Sequence, residues 1–264
     1  MRKVKLTEVF ARTKSENRAV LIGYMPAGFP DKEGSKKLIA AMVAGGVDIV
    51  EVGFPYSDPV MDGPVIQQAA EISLRNKTSA EDVFDIVAST QVPTLVMSYW
   101  NPISRYGTRR FAEKLSNSHG VGVITPDLTI EESEEWISAT SEHDIDRVYV
   151  VAPSTVDKRL ARVTGACSGF VYAASLMGVT GARTSISGSA SELVDRIRKV
   201  TDLPIAVGLG VSSAEQAQEV ARYADGVIVG SAFIKLVLDS ATIDEGVMRV
   251  RTLAEQLAAG VRRR

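Results

Sequence analysis

The chain is poor in the residues on which disulfide-stapled, zinc-binding and redox proteins rely. Of 264 residues one is cysteine, Cys167, and two are histidine, His119 and His143. A lone cysteine closes no internal disulfide, which points to a reducing, cytoplasmic setting. No apolar run approaches the roughly 18 residues that a membrane span needs. The N-terminal MRKVKLTEVFARTKSENRAV is basic at first but lacks the apolar core of a signal peptide. Neither sign of charge is in excess: 30 Lys and Arg against 32 Asp and Glu give a formal net charge of −2. That balance argues against a nucleic-acid partner. The basic cluster Arg262, Arg263 and Arg264 reads as cations complementing a helix end. With 45% hydrophobic and 23% charged residues, the composition is that of an ordinary globular protein.

What the chain does have is periodicity. Short runs rich in Val and Ile occur at 19–25, 47–54, 93–99, 121–126, 146–153, 169–175, 204–210 and 225–231. They are apolar on both faces, as strands of a parallel sheet covered by helices must be. Amphipathic stretches separate them. In DKEGSKKLIAAMVAGG, Leu38, Ile39, Met42 and Val43 form a stripe that Gly45 and Gly46 terminate. SSAEQAQEVARYA opens on serine caps, and Val247, Val250, Leu253 and Leu257 recur at helical spacing. Eight strands alternating with helices over about 250 residues is the arithmetic of a (β/α)₈ TIM barrel. A doubly wound sheet is the alternative, but the first turn, YMPAGFPD, has one glycine and two prolines and is no dinucleotide fingerprint. No linker or shift of composition divides the chain, so a single domain over residues 1–264 is expected.

A barrel carries its chemistry at the C-terminal ends of its strands. Those ends supply Glu51, Tyr99 with Asn101, Asp127, Pro153 with Ser154, Tyr172 with Ser175, Gly208 with Gly210, and Gly230 with Ser231. No lysine stands there, which argues against Schiff-base and pyridoxal-phosphate chemistry. Both histidines precede strands, on the opposite face, which argues against a catalytic zinc. Carboxylates and hydroxyls remain.

Three features stand out. EVGFPYSDPVMDGP ends an apolar run on Glu51 and leads into a loop stiffened by Pro55, Pro59 and Pro64, which carries Asp58 and Asp62. By themselves Glu51 and Asp62 read equally well as a buried ion-pair residue and a turn former. VGLGVSS after strand seven and VIVGSAF at strand eight place glycines where barrels hold phosphate, since glycine lets backbone N–H groups approach the oxygens. Plain tight turns are the alternative. ASLMGVTGARTSISGSASE after strand six is rich in Gly, Ser and Thr, as lids are, and as simple connections also are.

Taken together, EVGFPYSDPVMDGPVIQ, the GVTG after strand six and the two glycine loops resemble the α subunit of tryptophan synthase, from IGYMPAGFPD to VIVGSAFIK. The resemblance implies retro-aldol cleavage of indole-3-glycerol phosphate to indole and glyceraldehyde 3-phosphate. It implies that Glu51 is the acid–base, with its pKa raised by desolvation. Asp62, kept ionised, would stabilise charge at the indole nitrogen. Tyr172 lines the site. Gly181, Gly210, Gly230 and Ser231, with Gly208 nearby, match phosphate-site positions, and Thr180 matches a lid threonine. Asp127 matches a site-region acid, while Pro55 and Asp58 face the partner. Ile22, Met97, Tyr99 and Val151 are candidates to sandwich the indole, or else ordinary barrel core. No cofactor is expected in this chain; pyridoxal phosphate is expected in a β subunit, within an α₂β₂ assembly. Many members carry an Arg-Ser pair before GVTG, whereas Leu176 and Met177 stand here, so contacts made by that arginine do not carry over. Two other functions stay open at this point. One is a subunit that mainly binds and activates the β partner. The other is a different phosphate-binding barrel, such as indole-glycerol-phosphate synthase, although that family relies on strand-end lysines.

Overall fold

In the computed structural model, which describes residues 4–174 and 187–262, eight parallel strands close into a barrel in sequence order. They are β1 (Val20–Pro26), β2 (Ile49–Gly53), β3 (Thr94–Met97), β4 (Gly122–Thr125), β5 (Asp146–Val151), β6 (Val171–Ala174), β7 (Ile205–Gly208) and β8 (Gly226–Val229). Seven fall inside one of the eight apolar runs, and β1 overruns its own by one residue, Pro26. β1 pairs with β8 at Val20–Gly226 through Gly23–Val229, and this ladder closes the ring.

The expected helix signals operate. Asp31 caps the helix Lys32–Ala44 by accepting the Gly34 N–H at 2.7 Å, and Gly45 ends it. Gly46 follows at φ +105°, a conformation that favours glycine. Ser79 and Asp82 form a reciprocal capping box before Ala80–Ser89, and Ser213 caps Ala214–Ala221. The plain strand–helix alternation understates the connections. Two helices join β2 to β3, Pro64–Arg75 and Ala80–Ser89, and two join β3 to β4, Trp100–Tyr106 and Thr108–Asn117.

Period-2 alternation sorts the strand residues into two cores. Val20, Ile22, Ile49, Leu95, Ile124, Val148, Ala206 and Ile228 point inward and fill the barrel. Leu21, Val50, Val52, Val96, Val123, Val171, Val207 and Val227 point outward, under the helices. The N-terminal face is tied by a buried pair: Arg18 Nη1 and Nη2 donate to Asp48 Oδ2 and Oδ1 at 2.6 and 2.8 Å. Asp48 Oδ2 also accepts the Leu21 N–H at 3.0 Å, so the carboxylate is satisfied on both sides. His119 and His143 lie on connections leading into β4 and β5, away from the strand C-termini. Among the described residues no helix is long and apolar enough to cross a membrane.

Candidate active site

Glu51 sits at the centre of β2, two residues inside its C-terminal end, with Tyr24 of β1 and Leu95 of β3 as register partners. Its side chain therefore points into the barrel. The residue is 1% exposed and its Oε1 has no hydrogen-bond partner. An unpartnered carboxylate in such surroundings costs several kcal/mol, so the protonated form is favoured instead. Burial pushes the Glu51 carboxyl up to about 8. Among the described residues no ion pair involves Glu51, which removes the reading of a buried salt bridge.

Asp62 approaches from the loop that follows β2. The prolines act as expected at its two ends: Pro55 is buried, and Pro64 opens the next helix behind Gly63. Between them the loop is tied by hydrogen bonds. Asp62 N–H reaches the Pro59 carbonyl at 3.0 Å, and Gln67 Nε2 donates to the Asp62 carbonyl at 2.9 Å. Partial burial raises the Asp62 carboxyl to about 6, while the Tyr99 hydroxyl pulls in the opposite direction.

The two acids border one cavity of about 420 Å³ at the C-terminal mouth of the barrel. Its walls between them are apolar, with Met97, Val150, Leu209 and Ile228, and two tyrosines, Tyr24 and Tyr172, reach in. Gly208, Gly210, Gly230 and Ser231 also line it. Ser231 begins the helix Ser231–Leu238, with Gly230 as its N-cap, and the first N–H groups of a helix lack partners within it. Gly210 has φ +76°. The cavity thus joins a neutral acid, an acid ionised at neutral pH, an apolar slot and a glycine-lined margin. That set supports proton transfer on an aromatic substrate carrying an anionic tail.

Several anticipated residues stand elsewhere. Ile22 belongs to the inner packing, and Val151 points outward under the helices; Val150 and Ile228 take the lining positions. A one-residue error in phase moves a strand side chain to the other face, which is the whole of the discrepancy at Val151. Tyr99 is not among the lining residues and turns its hydroxyl to the Met61 N–H, 2.9 Å away. Asp127 accepts the Trp100 N–H at 2.8 Å, at the start of the helix Trp100–Tyr106, and does not line the cavity. Asp58 is exposed and takes a 2.7 Å hydrogen bond from Ser57 Oγ. Thr180, Gly181, Leu176 and Met177 lie outside the described residues, as does most of the proposed lid. Tyr24, Met61, Ile66, Val150 and Leu209 were missed. For Tyr24 the signal was present: it shares the inward parity of Val20 and Ile22 and pairs with Glu51.

A closed eight-stranded barrel with two carboxyls of separated pKa at the C-terminal mouth has the architecture of the (β/α)₈ enzyme class. The sequence profile of the tryptophan synthase alpha chain matches residues 10–262. The tryptophan synthase alpha chain of Thermobifida fusca is 54% identical over 263 residues, covering 97% of each chain. That of Mycobacteroides abscessus is 53% identical and covers 98% of each. The structure of Mycobacterium tuberculosis tryptophan synthase in space group F222 aligns with a TM-score of 0.91 at 47% identity, over 99% of each chain. The chain belongs to the tryptophan synthase α chain family, the barrel lyases of tryptophan biosynthesis.

Proposed function

We propose that the chain, acting as one barrel domain, cleaves indole-3-glycerol phosphate to indole and glyceraldehyde 3-phosphate, with Glu51 as acid–base and Asp62 as its partner. The buried, unpartnered Glu51 carboxyl facing the same cavity as Asp62 carries this assignment. Protonated at neutral pH, Glu51 delivers its proton to the ring carbon that bears the side chain, which makes the ring an indolenine cation. Asp62, ionised at neutral pH, stabilises the positive charge that develops on the ring nitrogen. The Glu51 carboxylate then takes the proton of the neighbouring side-chain hydroxyl. The carbon–carbon bond breaks, its electron pair returns to the ring, and the aldehyde leaves. Glu51 ends protonated, ready for another turnover. Positioned acid–base groups of this kind contribute roughly 10²–10⁴-fold each.

Met97, Val150 and Ile228 supply an apolar slot for the indole, and Tyr172 lines it. Gly208, Gly210, Gly230 and Ser231 take the phosphate, supported by their position at the ends of β7 and β8 and at a helix N-terminus. By family resemblance Thr180 and Gly181 belong to the same site. The partner is a pyridoxal-phosphate β subunit in an α₂β₂ heterotetramer that consumes the indole, in the cytoplasm. Asp58 with the exposed Val60 and Met61, 83% and 53% accessible, offers an apolar and acidic contact near the cavity, beside Pro55. Such a patch of exposed large side chains suits a protein interface.

Indole release from indole-3-glycerol phosphate by the purified chain, with and without the β subunit, tests the assignment. Release that rises sharply with β is expected. Release that ignores β would remove the partner, and no release in either case would remove the reaction. Glu51→Gln separates the two tasks: cleavage should vanish while activation of the β subunit survives.

A further inference from the structure

We propose that Tyr99 is a positioning residue for Asp62: its hydroxyl pins the last turn of the 54–63 loop and so holds the Asp62 carboxylate at the cavity wall, without itself touching the substrate. The proposal rests on the reaction assigned above.

Tyr99 lies two residues past the end of β3 and is 5% exposed. A phenol offers one donor and one acceptor function, and the acceptor is directed at the loop. Its oxygen accepts the N–H of Met61, the residue immediately before Asp62, at 2.9 Å. The same hydroxyl favours the charged form of the Asp62 carboxyl. The ring is gripped as well. Tyr56 packs against it with centroids 5.2 Å apart, and Tyr56 Oη takes a 3.1 Å hydrogen bond from Asn101 Nδ2. On the chain's other side the Trp100 N–H is held by Asp127 at 2.8 Å. Tyr99 is thus braced by the Tyr56 ring and by its own backbone, and in turn holds the Met61 N–H, one residue before Asp62. Met61, Asp62 and Gly63 line the cavity, whereas Tyr99 does not. Few buried side chains anchor this part of the loop, because Ser57, Asp58, Val60 and Met61 are all exposed. The Asp62–Pro59 and Gln67–Asp62 hydrogen bonds tie it to itself and to the next helix, and Tyr99 ties it to the segment after β3.

The electrostatics agree. Asp62 shares its cavity with Glu51 of β2, Tyr24 of β1 and Tyr172 of β6, and Asp127 lies beyond Tyr99. None of these is a cation. The Tyr99 hydroxyl is the group that favours the charged form of Asp62 against burial.

Tyr99→Phe removes one oxygen and keeps the ring against Tyr56. We expect kcat for cleavage by the complex with β to fall roughly tenfold at neutral pH, the loss typical of a hydrogen bond to a charged group. The KM for indole-3-glycerol phosphate should hold. The acid limb of the pH profile should move to higher pH, because Asp62 loses a donor to its charged form, and activity should recover as the pH is raised. Asp127→Ala, which releases the Trp100 N–H, should give the same shift in weaker form. A rise in KM with the limb unmoved would make Tyr99 a substrate contact and overturn the proposal. An equal loss at every pH, with a lowered melting temperature, would make its role merely structural and also overturn it. Asp62→Asn, measured beside these, isolates the underlying assignment: full cleavage by that variant would remove Asp62 from the reaction, whatever Tyr99 does.

Discussion

The Tyr172 hydroxyl ends against Gly208, so closely that a Cβ built on residue 208 would lie 2.4 Å from the phenol oxygen. The glycine at the end of β7 therefore seats an aromatic side chain reaching across from β6, in addition to any part it takes in phosphate binding. The same relation recurs on the other side of the mouth, where a Cβ at Gly53 would lie 2.3 Å from the Tyr24 hydroxyl.

Gly208→Ala must displace Tyr172 into the cavity. Cleavage should drop by at least tenfold, with about 1–3 kcal/mol lost from stability as in other overpacked sites. Adding Tyr172→Phe removes the nearest clashing atom and should restore part of the loss. A double-mutant cycle on kcat/KM reads the coupling. Strict additivity would mean that Gly208 acts through phosphate alone.

Two carboxyls of opposite required state give a bell-shaped profile. Asp62, near 6, must be ionised, and Glu51, near 8, must be protonated. Rate is lost below about pH 6 as Asp62 gains a proton and above about pH 8 as Glu51 loses one. The dependence of kcat/KM on pH should show both limbs, and Asp62→Asn should abolish the acid one.

Glu51 also marks stability. Its folded pKa is raised above the unfolded value, so the folded state holds its proton where the unfolded chain has released it. Stability therefore falls as pH rises from about 4.5 to about 8 and levels above that. At pH 7 the penalty is on the order of 3 kcal/mol. Glu51→Gln removes it: the variant's melting temperature, compared with the parent's, should gain steadily between pH 5 and 8. A constant difference across that range would show that Glu51 is not held protonated.

Gly210 sits at φ +76° on the margin of the cavity. Alanine there meets about 1–2 kcal/mol of backbone strain and carries a methyl group where the substrate's phosphate is proposed to rest. The KM for indole-3-glycerol phosphate should rise while kcat changes little, and inhibition by inorganic phosphate should weaken in parallel. An unchanged KM would place the phosphate elsewhere.

The sequence by itself determined the barrel and the placement of its acids. Short Val- and Ile-rich runs apolar on both faces fit strands covered on both sides, and eight of them alternating with helices, without a dinucleotide turn after the first, point to a closed barrel. Glu51 was legible because a carboxyl inside such a run is out of place, and Asp62 because prolines bracket it. Family resemblance, and not spacing, gave the two their roles. Tertiary structure decided what depends on phase and on distance. Val150, not Val151, faces the cavity, because strand parity turns on a single residue. Tyr24 joins the site because β1 pairs in register with β2. Tyr99, a candidate to sandwich the indole, and Asp127, matched by resemblance to a site-region acid, turn toward the Asp62 loop and a helix start. A strand end fixes where a side chain leaves the backbone; the hydrogen-bonding groups within its reach, brought there by remote segments, decide where it goes.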